Sequence, residues 1–124
     1  MHGLPLWERI ETYANDKDLQ AALGDQHAAR RRFGAAMAKK LQLRLEALAA
    51  ADTLADFWPP NSGPERCHEL KGNRSGIFSV DVKQPYRLLF KPIEAAPPDD
   101  RADEQRRWRS ITAIELLAIE DTHG

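Results

Sequence analysis

The sequence has little of several features that would point to a particular class of protein. It contains one cysteine, Cys67, in 124 residues, which excludes an internal disulfide and fits a reducing compartment. It contains no apolar run of about 18 residues, so no membrane-spanning helix is predicted. Its first residues lack the basic and apolar regions of a secretory signal. We therefore expect a cytoplasmic protein without a membrane segment.

The motifs of metal and nucleotide chemistry are also missing. The 4 histidines are spread along the chain, and there is no HExxH, no CxxC and no glycine-rich phosphate loop. No serine stands in a nucleophile elbow. Cys67 is expected to be a small buried strand residue rather than a nucleophile. We predict no metal and no cofactor.

Charged residues make up 30% of the chain and aromatic residues 7%, which is typical of a soluble globular domain. The net charge of −1 argues against a general nucleic-acid coat. Six basic residues nevertheless fall close together in the sequence: Arg66, Lys71, Arg74, Lys83, Arg87 and Lys91. Such a local basic surface can hold phosphates, although a charged, solvated sheet edge is the simpler interpretation.

The clearest strand pattern is a β-hairpin in the middle of the chain. Alternating apolar residues predict strands at 77–82 and 86–90, joined by a turn at 83–85 that contains proline. We expect the register that pairs Val80 with Leu88, because the apolar faces of the two strands then coincide.

A third strand is expected at 66–70, before a glycine-rich turn. Continuing the same pairing places His68 opposite Ser79, on the face that also carries Arg87. In this register Glu69 falls on the apolar face. A bulge or a one-residue shift would relieve that conflict.

Helices are expected before the strands. Residues 35–51 form the strongest helix signal, because an apolar stripe recurs on one face: Met37, Leu41, Leu45 and Leu48. Shorter helices should begin after Asp16 and Asp25, which can cap them. The basic clusters at 30–32 and 39–40 are either a solvated helix face or part of a nucleic-acid footprint.

The whole chain is expected to be a single α+β domain, with N-terminal helices packed on one face of a small, mainly antiparallel sheet. The helical part should cover about residues 15–58 and the sheet about 66–121. Residues 92–107 are rich in proline and charge, and we expect a flexible loop there. Residues 108–120 should form a strand covered on both sides. Residues 1–14 fit a helix or a strand, and a strand on the same sheet is favoured.

Six polar residues remain that could act together: His68, Lys71, Arg74, Arg87, Asp121 and His123. Their types suit metal-free cleavage of RNA, which needs a base for the ribose 2′-hydroxyl, an acid for the leaving 5′-oxygen and cations for the charge growing on the phosphate. Histidine can be base or acid because it titrates near neutral pH. Simpler interpretations stay open for each residue. Arg87 could pair with Asp81 across the strands. His68 could be a satisfied strand residue, and His123 a frayed terminal one.

Two segments, CHELKGNRSGIFSVDVKQPYRLLF and ITAIELLAIEDTHG, resemble the HigB-like killer toxins of the RelE/ParE superfamily. The resemblance covers about residues 28–124. It implies a compact fold with N-terminal helices on a small antiparallel sheet, and a surface chemistry similar to that of microbial ribonucleases. It also implies that the target is mRNA, cut in the ribosomal A site. A HigA-like helix-turn-helix antitoxin is the partner that the resemblance implies.

The resemblance also implies roles for individual residues. The candidate catalytic residues are His68, Lys71, Arg87 and His123, with Asp121 in support. The local basic surface, rather than the resemblance, gives the candidate phosphate-binding residues Arg66, Arg74, Lys83 and Lys91. Thr122 stands where many relatives have tyrosine, an aromatic that could stack on a base.

The expected function is therefore a metal-independent mRNA endonuclease that acts on the ribosome, inhibits translation and is held inactive by its antitoxin. Two alternatives come from the same superfamily. One is a ParE-like inhibitor of DNA gyrase, which would need no cluster of histidine and arginine. The other is a degenerate member that only binds its antitoxin.

Overall fold

The computed structural model describes residues 10–14, 16–93 and 103–121 of the chain. The helices in these ranges are α1 (Lys17–Gly24), α2 (Gln26–Phe33), α3 (Ala35–Ala50) and α4 (Glu104–Arg109). The strands are β1 (Glu11–Ala14), β2 (His68–Glu69), β3 (Phe78–Asp81), β4 (Tyr86–Pro92) and β5 (Ala113–Asp121). None of the described helices is long and apolar enough to cross a membrane.

The strands form one sheet with the order β1-β5-β4-β3-β2. Strands β2 to β5 pair antiparallel, whereas β1 pairs parallel with β5, with Glu11 opposite Ala113. The α+β prediction, with N-terminal helices packed on a mainly antiparallel sheet, is confirmed. The strand favoured near the N-terminus is confirmed for residues 11–14, and residues 1–9 lie outside the described ranges.

The N-terminal helices begin where polar caps are available. Asp16 accepts a hydrogen bond from the backbone N–H of Leu19 at 2.8 Å, and Asp25 accepts one from His27 at 2.9 Å. These side chains satisfy N–H groups that have no partner within the first turn of a helix. Gly34, with a φ of 85°, separates α2 from α3. Both predicted caps are therefore confirmed.

The core lies between the helices and one face of the sheet. Met37, Leu41 and Leu48 of α3 are buried, and Leu45 packs at the edge of the same cluster. On the sheet, Val80 pairs with Leu88 and Phe78 with Phe90, in the predicted register. The rings of Phe78 and Phe90 stack at 5.7 Å, and Trp108 meets Phe78 edge-on at 5.5 Å. Burying each of these large side chains stabilises the fold by about 1.5–3 kcal/mol.

Glu69 does lie on the apolar face, and no shift of register relieves it. It pairs with Phe78, as the unshifted hairpin requires. Its carboxylate accepts from Arg107 Nη1 at 2.8 Å, and the two side chains are only 8% and 4% exposed. It also accepts from the Gly76 backbone N–H at 2.7 Å. No bulge or shift is needed, because a buried arginine neutralises the carboxylate in place.

The segment before the last strand differs from the prediction. The predicted bounds of the loop at 92–107 were wrong at both ends, because β4 runs through Pro92 and α4 begins at Glu104. The strand expected from Trp108 was wrong in its first residues, because Trp108 belongs to α4 and β5 begins at Ala113. A helix of six residues is too short to show a hydrophobic period, which explains the error. Residues 94–102 lie outside the described ranges.

Candidate functional site

The sheet face turned away from the core carries a row of alternating charges. Asp81 on β3 pairs with Arg87 on β4, and Arg87 pairs with Glu120 on β5. Arg66, just before β2, completes the row, since its Nε lies 3.4 Å from Asp81 Oδ2. Side chains alternate along a strand, so Asp81, Arg87 and Glu120 lie opposite the apolar residues that face the helices.

Glu120 binds two arginines at one end of this row. Arg74 donates through Nη1 and Nη2 to the two carboxylate oxygens, at 3.1 and 2.7 Å. Arg87 donates through Nε and Nη2 to Oε1, at 3.1 and 2.5 Å. We call Arg74, Arg87 and Glu120 the arginine–glutamate cluster.

The electrostatics of the cluster follow from these bonds. Hydrogen bonds from Arg74 and then Arg87 lower the pKa of Glu120 to about 2, against the opposing effect of burial. The bond to Glu120 in turn raises the pKa of Arg74. The Glu120 carboxylate is therefore ionised near neutral pH, and the arginine guanidinium is always charged in proteins. Two positive charges and one negative charge leave the cluster cationic.

The simpler interpretation of Arg87, pairing with Asp81, is wrong. The two residues are opposite each other in the hairpin, but the Arg87 side chain turns to Glu120 instead. The Asp81 carboxylate faces Arg66, and its backbone carbonyl accepts from Arg44 Nε at 2.7 Å. Arg44 is a helix residue that is buried rather than exposed. Arg87 is thus held by the last strand, not by its hairpin partner.

His68 lies opposite Ser79 on the edge strand, as predicted, and is half-buried. Its Nδ1 is 2.9 Å from the carbonyl oxygen of Arg66. A carbonyl oxygen only accepts, so Nδ1 carries a proton and Nε2 is the unprotonated nitrogen of the neutral ring. His68 and Arg87 share a face, two strands and two residues apart, which is about 12 Å between Cα atoms.

The other predicted residues lie on the surrounding turns and strands. Lys71 is exposed at the start of the 3₁₀ turn Gly72–Arg74, and Lys83 is exposed in the β3–β4 turn. Lys91 lies at the far end of β4, with Nζ 3.6 Å from Glu115. Asp121 pairs with Tyr86, and strand alternation turns its side chain to the face opposite that of Glu120. Both His123 and Thr122 lie outside the described residues.

Sequence reasoning missed Glu120. Its two arginine partners are 46 and 33 residues away in the chain, so no local pattern connects them. The only signal is the alternation of the last strand, and it becomes useful only when the pairing of β4 with β5 is known. Ser79 was also missed as a buried polar residue of this face, 0% exposed.

The structure gives no sign of an activated thiol. Cys67 is fully buried just before β2, as expected, and burial raises the pKa of its thiol. In the part of the chain that the structure describes, no group of three or more histidine, cysteine, aspartate or glutamate side chains is placed to hold a metal ion.

Comparison with known proteins supports the resemblance seen in the sequence. The family model of HigB-like toxins, described as the RelE-like toxin of the type II toxin–antitoxin system HigB, matches residues 13–100. The match includes His68, Lys71, Arg74 and Arg87 and ends before Asp121. A comparison with curated protein sequences gives no match.

Three solved structures have a similar fold. A YoeB/ParE toxin from Agrobacterium tumefaciens is 13% identical, with a TM-score of 0.52, covering 90% of this chain and 98% of that one. The YoeB–YefM complex and the YoeB dimer, both from Staphylococcus aureus, are 13% identical with a TM-score of 0.52, covering 90% of this chain and 95% of theirs. At this identity the likeness shows the fold alone. The family match, in contrast, spans more than half of the sequence. The chain therefore belongs to the HigB-like family, the RelE-like toxins of type II toxin–antitoxin systems.

Proposed function

We propose that this toxin is a metal-independent endoribonuclease that cuts mRNA and thereby inhibits translation. The observation that carries the proposal is that His68 shares a sheet face with Arg87 and Glu120, and that Arg74 reaches Glu120 from the neighbouring turn. Arg74 and Arg87 are held by Glu120, and His68 is oriented by its bond to the Arg66 carbonyl. This combination of a base and preplaced cations is what phosphodiester cleavage by the ribose 2′-hydroxyl requires.

His68 is the proposed base. Because its Nδ1 is occupied by a carbonyl, Nε2 is the nitrogen that takes the proton from the 2′-hydroxyl. The 2′-oxygen then bonds to phosphorus while the bond from phosphorus to the 5′-oxygen breaks. The leaving 5′-oxygen needs a proton, and we assign this step to His123, on the family resemblance. The products are a 2′,3′-cyclic phosphate and a 5′-hydroxyl.

The arginines are the proposed phosphate ligands. Each uses two of its N–H groups on Glu120, which leaves the others able to bind a second anion. Donors placed at the oxygens where charge grows accelerate such reactions by about 10²–10³ each. We assign Lys71 to the same phosphate, and Arg66, Lys83 and Lys91 to phosphates along the strand. The family resemblance also assigns Asp121 to the support of the acid His123, although alternation along β5 turns its side chain to the face opposite that of Glu120.

The substrate is proposed to be mRNA presented by the ribosome. A net charge of −1 gives little general attraction for free RNA, because such binding depends on neutralised phosphates. An mRNA that is already held by the ribosome needs no general attraction to the toxin, so the local basic face is enough to bind it. This site of action would place the toxin in the cytoplasm.

A HigA-like helix-turn-helix antitoxin is the proposed inhibitor. The family description as a type II toxin–antitoxin system supports a protein partner of this kind. A structure of similar fold, the YoeB–YefM complex, contains a toxin together with a second protein. Copurification with the product of the neighbouring reading frame would test the pairing.

The test uses overproduction of the toxin without antitoxin, with mRNA 5′ ends mapped after induction. The variants His68→Ala and Arg87→Ala should each restore growth and abolish the new 5′ ends. Matched controls are His27→Ala on α2 and Arg106→Ala on α4, which remove exposed residues of the same types away from the site. Growth arrest that persists in both site variants would overturn the assignment.

The same experiment separates the alternatives. A DNA-damage response with intact mRNA would indicate a gyrase inhibitor. A wild-type protein that arrests no growth and leaves mRNA intact would indicate a member that only binds its antitoxin.

A further inference from the structure

We infer that Glu120 is a positioning residue of this toxin, which holds Arg74 and Arg87 in the orientation that stabilises the transition state. The inference rests on the proposed function and adds a residue to it. Glu120 would contact the arginines and not the RNA.

The two arginines need a common residue to orient them because one lies on a strand and the other on a turn. Arg87 stands on a central strand and its side chain is 20% exposed, whereas Arg74 comes from a short 3₁₀ turn and is 37% exposed. An arginine side chain on a turn has many accessible rotamers, and the entropy lost when a ligand fixes one of them opposes binding. Glu120 is on β5, paired directly with Arg87, so its carboxylate is anchored by the sheet. The bidentate bond to Arg74 fixes the plane of that guanidinium as well.

The geometry argues against an acid–base role for Glu120 itself. Its Oε1 accepts from Arg74 Nη1 and from Arg87 Nε and Nη2, and its Oε2 accepts from Arg74 Nη2. These bonds use most of the lone pairs that a carboxylate offers. With a pKa of about 2, the group also stays ionised wherever the toxin works. Orientation of its two partners is the role that remains.

The negative charge of Glu120 favours alignment of the arginines but disfavours binding of RNA. It lowers the positive charge of the face that would receive RNA, so it weakens attraction for the ground state. A residue that weakens ground-state attraction and improves alignment affects kcat and KM differently. That difference distinguishes a positioning role from a purely structural one.

The experiment compares the wild type with Glu120→Gln and with Glu104→Gln. The control makes the same charge change at an exposed site on α4. Cleavage of ribosome-bound mRNA gives kcat and KM, and a 2′-O-methyl RNA oligonucleotide, which cannot be cleaved, gives the Kd and its salt dependence. Far-UV circular dichroism and thermal melting check that each variant is folded.

The expected result for Glu120→Gln is a kcat at least tenfold lower, with KM and Kd unchanged or lower. The slope of log Kd against log salt should steepen by up to about 0.7. Glu104→Gln should behave as the wild type. Arg74→Lys keeps the positive charge but loses the paired N–H donors of the guanidinium, so it should reproduce the loss in kcat. The double variant Glu120→Gln with Arg74→Lys should have a kcat little lower than that of either single variant.

Three results would overturn the inference. A faster Glu120→Gln would mean that the carboxylate competes with the phosphate for the arginines. An unchanged kcat for Glu120→Gln would mean that the arginines do not need Glu120 to orient them. Parallel losses of kcat, affinity and melting temperature would mean a structural role only. A wild type that cleaves no mRNA would instead refute the proposed function itself, so the two failures are distinguishable.

Discussion

Replacing Arg107 with leucine should strongly destabilise this toxin, although the residue is one of several arginines on α4. Arg107 is buried, and its Nη1 donates to Glu69 Oε1 at 2.8 Å. Its guanidinium also lies over the ring of Phe78, 5.7 Å from the centroid. Leucine would keep much of the apolar packing but leave the carboxylate of Glu69 in the core without its counter-charge.

The magnitude follows from the burial of both partners. Removing one member of a buried ion pair lowers the free energy of unfolding by about 3–5 kcal/mol. The lower end applies here, because Glu69 keeps its 2.7 Å bond from the Gly76 N–H. For 124 residues the unfolding entropy is about 260 cal/mol/K, so about 3 kcal/mol corresponds to a fall in Tm of about 12 °C.

Urea denaturation followed by circular dichroism measures the change, together with two further variants. Arg106→Leu alters an exposed arginine of the same helix and should stay within about 0.5 kcal/mol of the wild type. Glu69→Leu combined with Arg107→Leu should recover most of the loss, since no charge is then left unpaired. A loss of less than about 1 kcal/mol for Arg107→Leu would show that Glu69 does not need this counter-charge. A double variant as unstable as Arg107→Leu alone would show that the loss does not come from an unpaired carboxylate.

Two further predictions concern ionisation. The pKa of Glu120 lies at about 2, below its ordinary 4.5, so its contribution to stability is present above about pH 4.5 and is lost as the pH falls towards 2. Acid titration of the free energy of unfolding should therefore show a smaller loss for Glu120→Gln than for the wild type, and parallel curves would contradict this. Because burial raises the pKa of Cys67, an aromatic disulfide reagent at about pH 8 should react slowly with the folded protein and rapidly in urea. Rapid reaction without denaturant would show that the thiol is accessible.

The parts of the fold that could be predicted are those with a local cause. The β3–β4 register follows from the coincidence of two apolar faces, and the facing of His68 follows from that register. The starts of α1 and α2 follow from Asp16 and Asp25. In each case the residues that decide the structure are neighbours in the chain or are joined by one turn.

The parts that could not be predicted depend on distant partners. Glu69 seemed to be in conflict with its strand only because Arg107, 38 residues away, was not known to reach it. The partners of Arg87 and Arg74 were hidden for the same reason, since β5 had to be placed next to β4 before Glu120 could be recognised. Short-range propensity carries no information about such contacts.

The position of β5 has a consequence for the synthesis of the toxin. This strand is made after the other described elements, yet it lies between β1 and β4 and supplies Glu120. A nascent chain that stops before residue 113 lacks the strand that pairs with β1 and the carboxylate that binds the two arginines. Such long-range pairing forms late. A ribosome making this protein would therefore face a complete arginine–glutamate cluster only after the last strand had emerged.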